Sequence, residues 1–153
     1  MKRLLAPVLL LALFTLLPAG CNNPAKLIAV GLKIEVTRLE RTSDGTVLAT
    51  WHVENSNVVS YLVSHVSHKV YLNGVYLGVA TEGEPMAIPA TSNAGRTSKL
   101  TGGSAEAAPA VTAALASGSG SYRIDSLFIF GIYDDKVQNS ELANTGTVPV
   151  TAK

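Results

Sequence analysis

Three histidines, two pairs of carboxylates, two glycine-rich runs and one cysteine are the residues here whose types could do chemistry. His65-x-x-His68 has the spacing of a metal pair, and His52 is the only other histidine. The surrounding stretch alternates like a strand, and residues three apart on a strand point to opposite faces. A metal centre needs three or four converging ligands, so the histidines read as structural and no metal is expected. Asp134-Asp135 and Glu82-x-Glu84 lie in turn-like sequence. General acid–base work needs a carboxylate desolvated enough to hold its proton, whereas turn carboxylates are solvated. No Gly-x-Ser-x-Gly elbow is present,. Gly102-Gly103 and Gly118-Ser119-Gly120 lack the Lys-Ser/Thr ending of a phosphate loop,. No catalytic residue and no cofactor is assigned, and the chain reads as a non-enzyme.

The cysteine is the exception. A single cysteine, Cys21, excludes an internal disulfide and a cysteine-rich zinc site,. It sits where an apolar run ends. The chain opens Met1-Lys2-Arg3, then runs from Leu4 to Leu17 with only Pro7 and Thr15 breaking the series. A basic start, a short apolar run and then small residues form a secretory signal. The run is shorter than the roughly 20 residues a spanning helix needs. Leu17-Pro18-Ala19-Gly20-Cys21 resembles a bacterial lipobox, in which the cysteine is lipidated and becomes the new N-terminus. Pro18 stands where that motif prefers an apolar residue, with Leu17 one step earlier. The resemblance implies that residues 1–20 are a lipoprotein signal peptide and that a lipid such as palmitate sits on Cys21. Residues 21–26 then form a short tether. Asn22, in place of the Asp that marks inner-membrane retention, favours the outer membrane with the protein facing the periplasm.

The elements that follow read almost entirely as strands. The chain is 47% hydrophobic and 15% charged, which argues against disorder,. Its net charge of +1 leaves no electrostatic footprint for nucleic acid,. From Leu27, the residues Ile28, Val30, Leu32, Ile34 and Val36 alternate with smaller or polar ones, as in a strand with one buried face. Ser43-Asp44-Gly45-Thr46 is a hairpin turn. Val47, Ala49, Trp51 and Val53 form the next buried face, with Trp51 as core anchor. Glu54-Asn55-Ser56-Asn57 breaks the pattern. A long strand runs from about Val58 to Leu72, its inner phase including Leu62, Val66, Val70 and Leu72. Asn73-Gly74 is the strongest hairpin signal. As a two-residue loop it sets Leu72 opposite Val75 and Tyr71 opposite Tyr76, with Leu77 and Val79 continuing the inner phase. Met86 to Pro89 is an edge piece, and Ala94 to Thr101 a further strand. The Ala-rich stretch gives about two helical turns from Pro109, ended by Gly118. Tyr122 to Tyr133 is apolar on both phases and reads as a central strand covered on both faces. Asp134-Asp135-Lys136 is a turn, Gln138 to Thr145 is polar, and Thr147 to Val150 is a final edge strand. Short strands separated by turns indicate an all-β sandwich or barrel.

Tyr61, Tyr71 and Tyr76 fall on the phase opposite the aliphatic core, as does Tyr133. Aromatics on one outer sheet face either mark a contact surface or simply pack across strands.

Four short motifs carry a wider likeness. Val53-Glu54-Asn55-Ser56-Asn57, Tyr71-Leu72-Asn73-Gly74 with Gly78, Ile88-Pro89-Ala90, and Ala113 to Gly120 before Tyr122 stand in this order. The pattern resembles the group 2 late embryogenesis abundant (LEA type 2) domain, also called the water stress and hypersensitive response (WHy) domain, over roughly Leu32 to Val150. Ser56 stands where that family has Pro. The resemblance implies an immunoglobulin/fibronectin-III-like antiparallel β-sandwich, with one short helix near 109–117, spanning residues 27–153. It also implies a protective role in desiccation without a catalytic site. The expected whole is a cell-envelope lipoprotein held to the membrane by its N-terminal lipid. The second reading is a protein-binding accessory subunit of an envelope complex, with an envelope protein as partner.

Overall fold

Alternation of apolar and polar residues produces eight strands and one helix among the described residues. The computed structural model describes residues 30–131 and 137–153. In chain order the elements are β1 (Leu32–Arg41), β2 (Val47–Asn55), β3 (Tyr61–Leu72), β4 (Val75–Glu82), β5 (Met86–Ile88), β6 (Ser92–Lys99), α1 (Ala107–Ser117), β7 (Ser119–Gly131) and β8 (Val137–Ala152). The strands hydrogen-bond in the order β4-β3-β7-β8-β1-β2-β6, with β5 beside β3. This sheet curls until β2 faces β3, and Trp51 meets His68 across the core with ring centroids 4.2 Å apart. The core draws on both halves, including Ile34, Leu39, Trp51, Val66, Leu72, Ile124, Phe128 and Val148.

The all-β expectation holds; the strands form one curled sheet, and its pairing is not antiparallel throughout. β8 pairs antiparallel with β7 from Ser119↔Pro149 to Gly131↔Val137. Its last residues then pair parallel with β1, from Leu39↔Val150 to Arg41↔Ala152. The expected edge strand at 147–150 is therefore the end of a long central strand. Its first half is polar and reads as loop, because hydrogen bonds to β7 hold it as a strand without an apolar face of its own.

Bulges explain the other differences. A register shift between Val36 and Arg38 moves the buried phase of β1 so that Leu39 is enclosed,. Val30 is exposed, and residues 27–29 lie outside the described residues. A second shift between Val63 and His65 buries Val63 and leaves Leu62 exposed. A third, between Val70 and Tyr71, follows the Asn73-Gly74 turn, whose φ values of 50° and 82° fit the tight loop expected. Leu72 opposes Val75 and Tyr71 opposes Tyr76 as the turn requires. The bulge buries Ala80 and turns Val79 off the core phase. It falls at Leu77, next to Gly78, φ 137°, where a Cβ would stand 2.6 Å from the Thr101 carbonyl oxygen. Only glycine lets the backbone of β4 reach Thr101 there. In β7, Leu127 and Ile129 are half-buried, so this central strand is enclosed on one face only. The helix begins at Ala107, two residues before Pro109, which still lies in the first turn where its missing N–H costs nothing,. It ends at Gly118 as expected.

Two clasps lock the ends of the strands. Asn55 is fully enclosed, and its Nδ2 donates to the carbonyls of Val59 and Pro89, each at 2.9 Å. Its Oδ1 accepts the amide of Asn57 at 3.0 Å. At the other clasp the Asn73 amide donates to the Ser121 carbonyl at 2.7 Å. The Ser121 amide returns to Asn73 Oδ1 at 2.9 Å. The four motifs are thus joined in pairs, the Asn-Ser-Asn turn to Ile-Pro-Ala and Leu-Asn-Gly to the start of β7. Removing the Asn55 amide strands buried carbonyls, so Asn55→Ala is expected to lower stability by about 3 kcal/mol. Ser56→Ala, at an exposed hydroxyl, is expected to cost less than about 1 kcal/mol. Urea titration of the two variants checks the difference.

Candidate functional site: the outer face of β3, β7 and β8

The cross-strand register assembles a surface around Tyr71. Tyr71 lies opposite Tyr76 on β4 and opposite Arg123 on β7. The two rings are 5.3 Å apart at 51°. The Arg123 guanidinium carbon lies 3.9 Å from the centre of the Tyr71 ring, a cation–π geometry,. Arg123 also pairs with Asp125 at 3.3 Å. One step along, Lys69 faces Asp125, which faces Ala143 on β8. Lys69, Tyr71, Asp125 and Ala143 line an open hollow of about 630 Å³ together with Ser67, Leu127 and Glu141. The hollow offers one aromatic ring, Tyr71, one cation, Lys69, and two carboxylates, Asp125 and Glu141, with Arg123 stacked on the Tyr71 ring beside it. That mixture suits a polypeptide surface with both apolar and charged side chains.

Of the tyrosines singled out in the sequence, Tyr71 and Tyr76 share this face, each half-buried. Tyr61 does not join them. It lies at the far end of β3, its ring edge-on to Phe130 at 5.6 Å and packed against the core. The phase reversal at the β3 bulge is the reason. Tyr133 and Cys21 lie outside the described residues, as do Asp134 and Asp135. Arg123 was not among the sequence candidates. Its role depends on the pairing of β3 with β7, which join residues about 50 positions apart, and no local pattern announces that.

The histidines separate as a strand dictates. His65 is half-buried, while His68 is fully enclosed between Trp51, Phe128 and Ser126. His68 Nδ1 lies 2.7 Å from Ser126 Oγ, and Nε2 has no hydrogen-bond partner among the described residues. Burial disfavours the charged ring and pushes its pKa down to about 3,. Among the described residues, no three His, Cys, Asp or Glu side chains converge to hold a metal ion. Glu82 is less solvated than its turn-like sequence suggests. It ends β4, is half-buried, and accepts a hydrogen bond from Ser98, whose hydroxyl in turn accepts the Trp51 indole N–H at 2.9 Å. Arg96 pairs with it at 3.5 Å. Glu84 is almost fully exposed.

No protein-family model matches the chain, and no curated protein matches it. Solved structures do. A protein described as late embryogenesis abundant, At2g46140.1, superposes with a TM-score of 0.50 and 12% identity over 95% of this chain and 85% of its own. The Arabidopsis thaliana protein AT1g01470 superposes with a TM-score of 0.50 and 11% identity over 78% of each chain. At these identities the likeness is one of fold: the chain shares the fold of the late embryogenesis abundant protein.

The neutral state of His68 sets a pH dependence. Its folded pKa lies below the unfolded value of 6.5, so its contribution is complete above 6.5 and lost as pH falls towards about 3. At pH 5 the loss is about 2 kcal/mol relative to neutral pH. Urea midpoints across pH 5–8 are expected to fall accordingly, and to flatten in His68→Gln.

Proposed function

We propose that the chain is a LEA type 2 lipoprotein of the bacterial cell envelope, anchored through Cys21, whose domain protects envelope components during water loss without catalysis. The curled sheet is, in this reading, a variant of the immunoglobulin or fibronectin-III sandwich. The observation that carries the proposal is the fold shared with a late embryogenesis abundant protein across most of both chains. The four motifs support it, since they meet in space as two clasps. The lipobox-like segment supports the anchor, which keeps the domain at the envelope. Three acyl chains, as bacterial lipoproteins carry, would hold stably where a single one holds weakly.

The hollow beside Tyr71 favours a second reading, an accessory subunit that binds an envelope protein. Arg123 and the Tyr pair would form its contact,. Cross-linking from envelope fractions distinguishes the two. A stable partner lost in Tyr71→Ala/Arg123→Ala favours the accessory subunit, and its absence favours the protective role.

Two outcomes test the main reading. The wild type is expected to incorporate a fatty-acid analogue, and Cys21→Ser to lose the label and leave the membrane fraction. Cells lacking the gene are expected to survive drying and high salt less well than their parent; equal survival would remove the protective role.

A further inference from the structure

The large hydrophobic side chains left exposed among the described residues are Val30, Val58, Val59 and Leu62, at 86%, 87%, 51% and 56% exposure. All four lie at one end of the domain. Val30 precedes Gly31, whose carbonyl accepts the Ser56 amide at 2.8 Å. The Asn57 side chain lies directly over Gly31. Val58 and Val59 follow in the same loop, held by the bond from Asn55 to the Val59 carbonyl. Leu62 is the second residue of β3, opposite Ala87 of the short β5. This is the end where β1 begins and β2 finishes, with Leu32 facing Asn55. The β1–β2 hairpin, with Arg41 facing Val47, lies at the other end.

We infer that Val30, Val58, Val59 and Leu62 form a tip that sits in the headgroup region of the membrane to which Cys21 is anchored. The inference rests on the proposed anchor. Val30 is nine residues from Cys21, and nine extended residues reach at most about 30 Å. The exposed apolar end is therefore the end through which the tether enters the domain. Four side chains are too few to form a stable contact between two copies, which needs about 800 Å² from each partner. A tether changes the arithmetic, because it holds a weak patch at millimolar or higher effective concentration beside the bilayer. The loop chemistry agrees: between Val53 and Val63 the only charged residue is Glu54, so the contact is apolar and should depend little on salt.

The test uses the full acylated protein in vesicles of phosphatidylethanolamine and phosphatidylglycerol carrying a nitroxide lipid. An environment-sensitive fluorophore is placed on Val58→Cys, or on Asp44→Cys in the hairpin at the opposite end. Quenching at position 58 is expected to exceed that at position 44 at least twofold, at low and high salt alike. Adding Val59→Asp and Leu62→Asp to the Val58→Cys protein is expected to abolish the excess. Equal quenching at the two positions in protein that floats with the vesicles overturns the tip while leaving the anchor intact. An emission shift without lipid quenching indicates a protein partner or a second copy, and overturns it too. Quenching that survives the two aspartates belongs to the fluorophore and counts against it. Failure of the protein to float overturns the anchor, and the tip falls with it.

Discussion

β8 has a neighbour on each side, and it changes what those neighbours do. Along thirteen residue pairs its backbone is bonded to β7. Its last three residues also run parallel beside β1. Buried backbone N–H and C=O groups must find partners, and this one strand meets that requirement for both halves of the sheet. It thereby makes β4-β3-β7 and β1-β2-β6 into a single curled surface rather than two separate sheets. The curl brings Trp51 on β2 against His68 on β3, and the core forms between them.

That core contains polar groups, each held in a particular way. The Trp51 indole donates to Ser98, and Ser98 to Glu82, so a chain of hydrogen bonds leads from the interior to the Arg96 ion pair at the surface. His68 is held by Ser126 and packed against Trp51 and Phe128, none of them ionised. Buried polar groups of this kind are costly unless paired. They therefore favour one registration of β2 against β6 and of β3 against β7. Asn55 and Asn73 act likewise at the strand ends, where turns would otherwise leave carbonyls and amides unbonded.

With the motif asparagines occupied in folding, the surfaces open to contact are made by other residues. One is the outer face of β4, β3 and β7, where Tyr76, Tyr71 and Arg123 stand in a row across three strands. The other is the apolar end around Val58 and Val59. The two differ in chemistry. The first mixes rings with charges of both signs and suits a protein surface, while the second is nearly free of charge and suits lipid.

Local pattern was enough for the all-β class, for Trp51 as an anchor, for the Asn73-Gly74 hairpin with its Tyr71–Tyr76 pair, and for the helix ending at Gly118. Each depends on residues within a few positions of one another, where alternation and turn chemistry act directly. Only the tertiary structure decided where that alternation slips. Single-residue bulges near Thr37, Ser64 and Leu77 reverse the buried phase, enclosing Leu39 and Val63, exposing Leu62 and sending Tyr61 to the core. It also decided that the polar stretch after Gln138 is the central strand, and that Arg123 stands over Tyr71. A strand held by backbone hydrogen bonds to its neighbour needs no apolar pattern of its own, and cross-strand neighbours far apart in the chain leave no local trace. The sequence by itself determined which segments extend and turn; the folded sheet determined which of their faces meet.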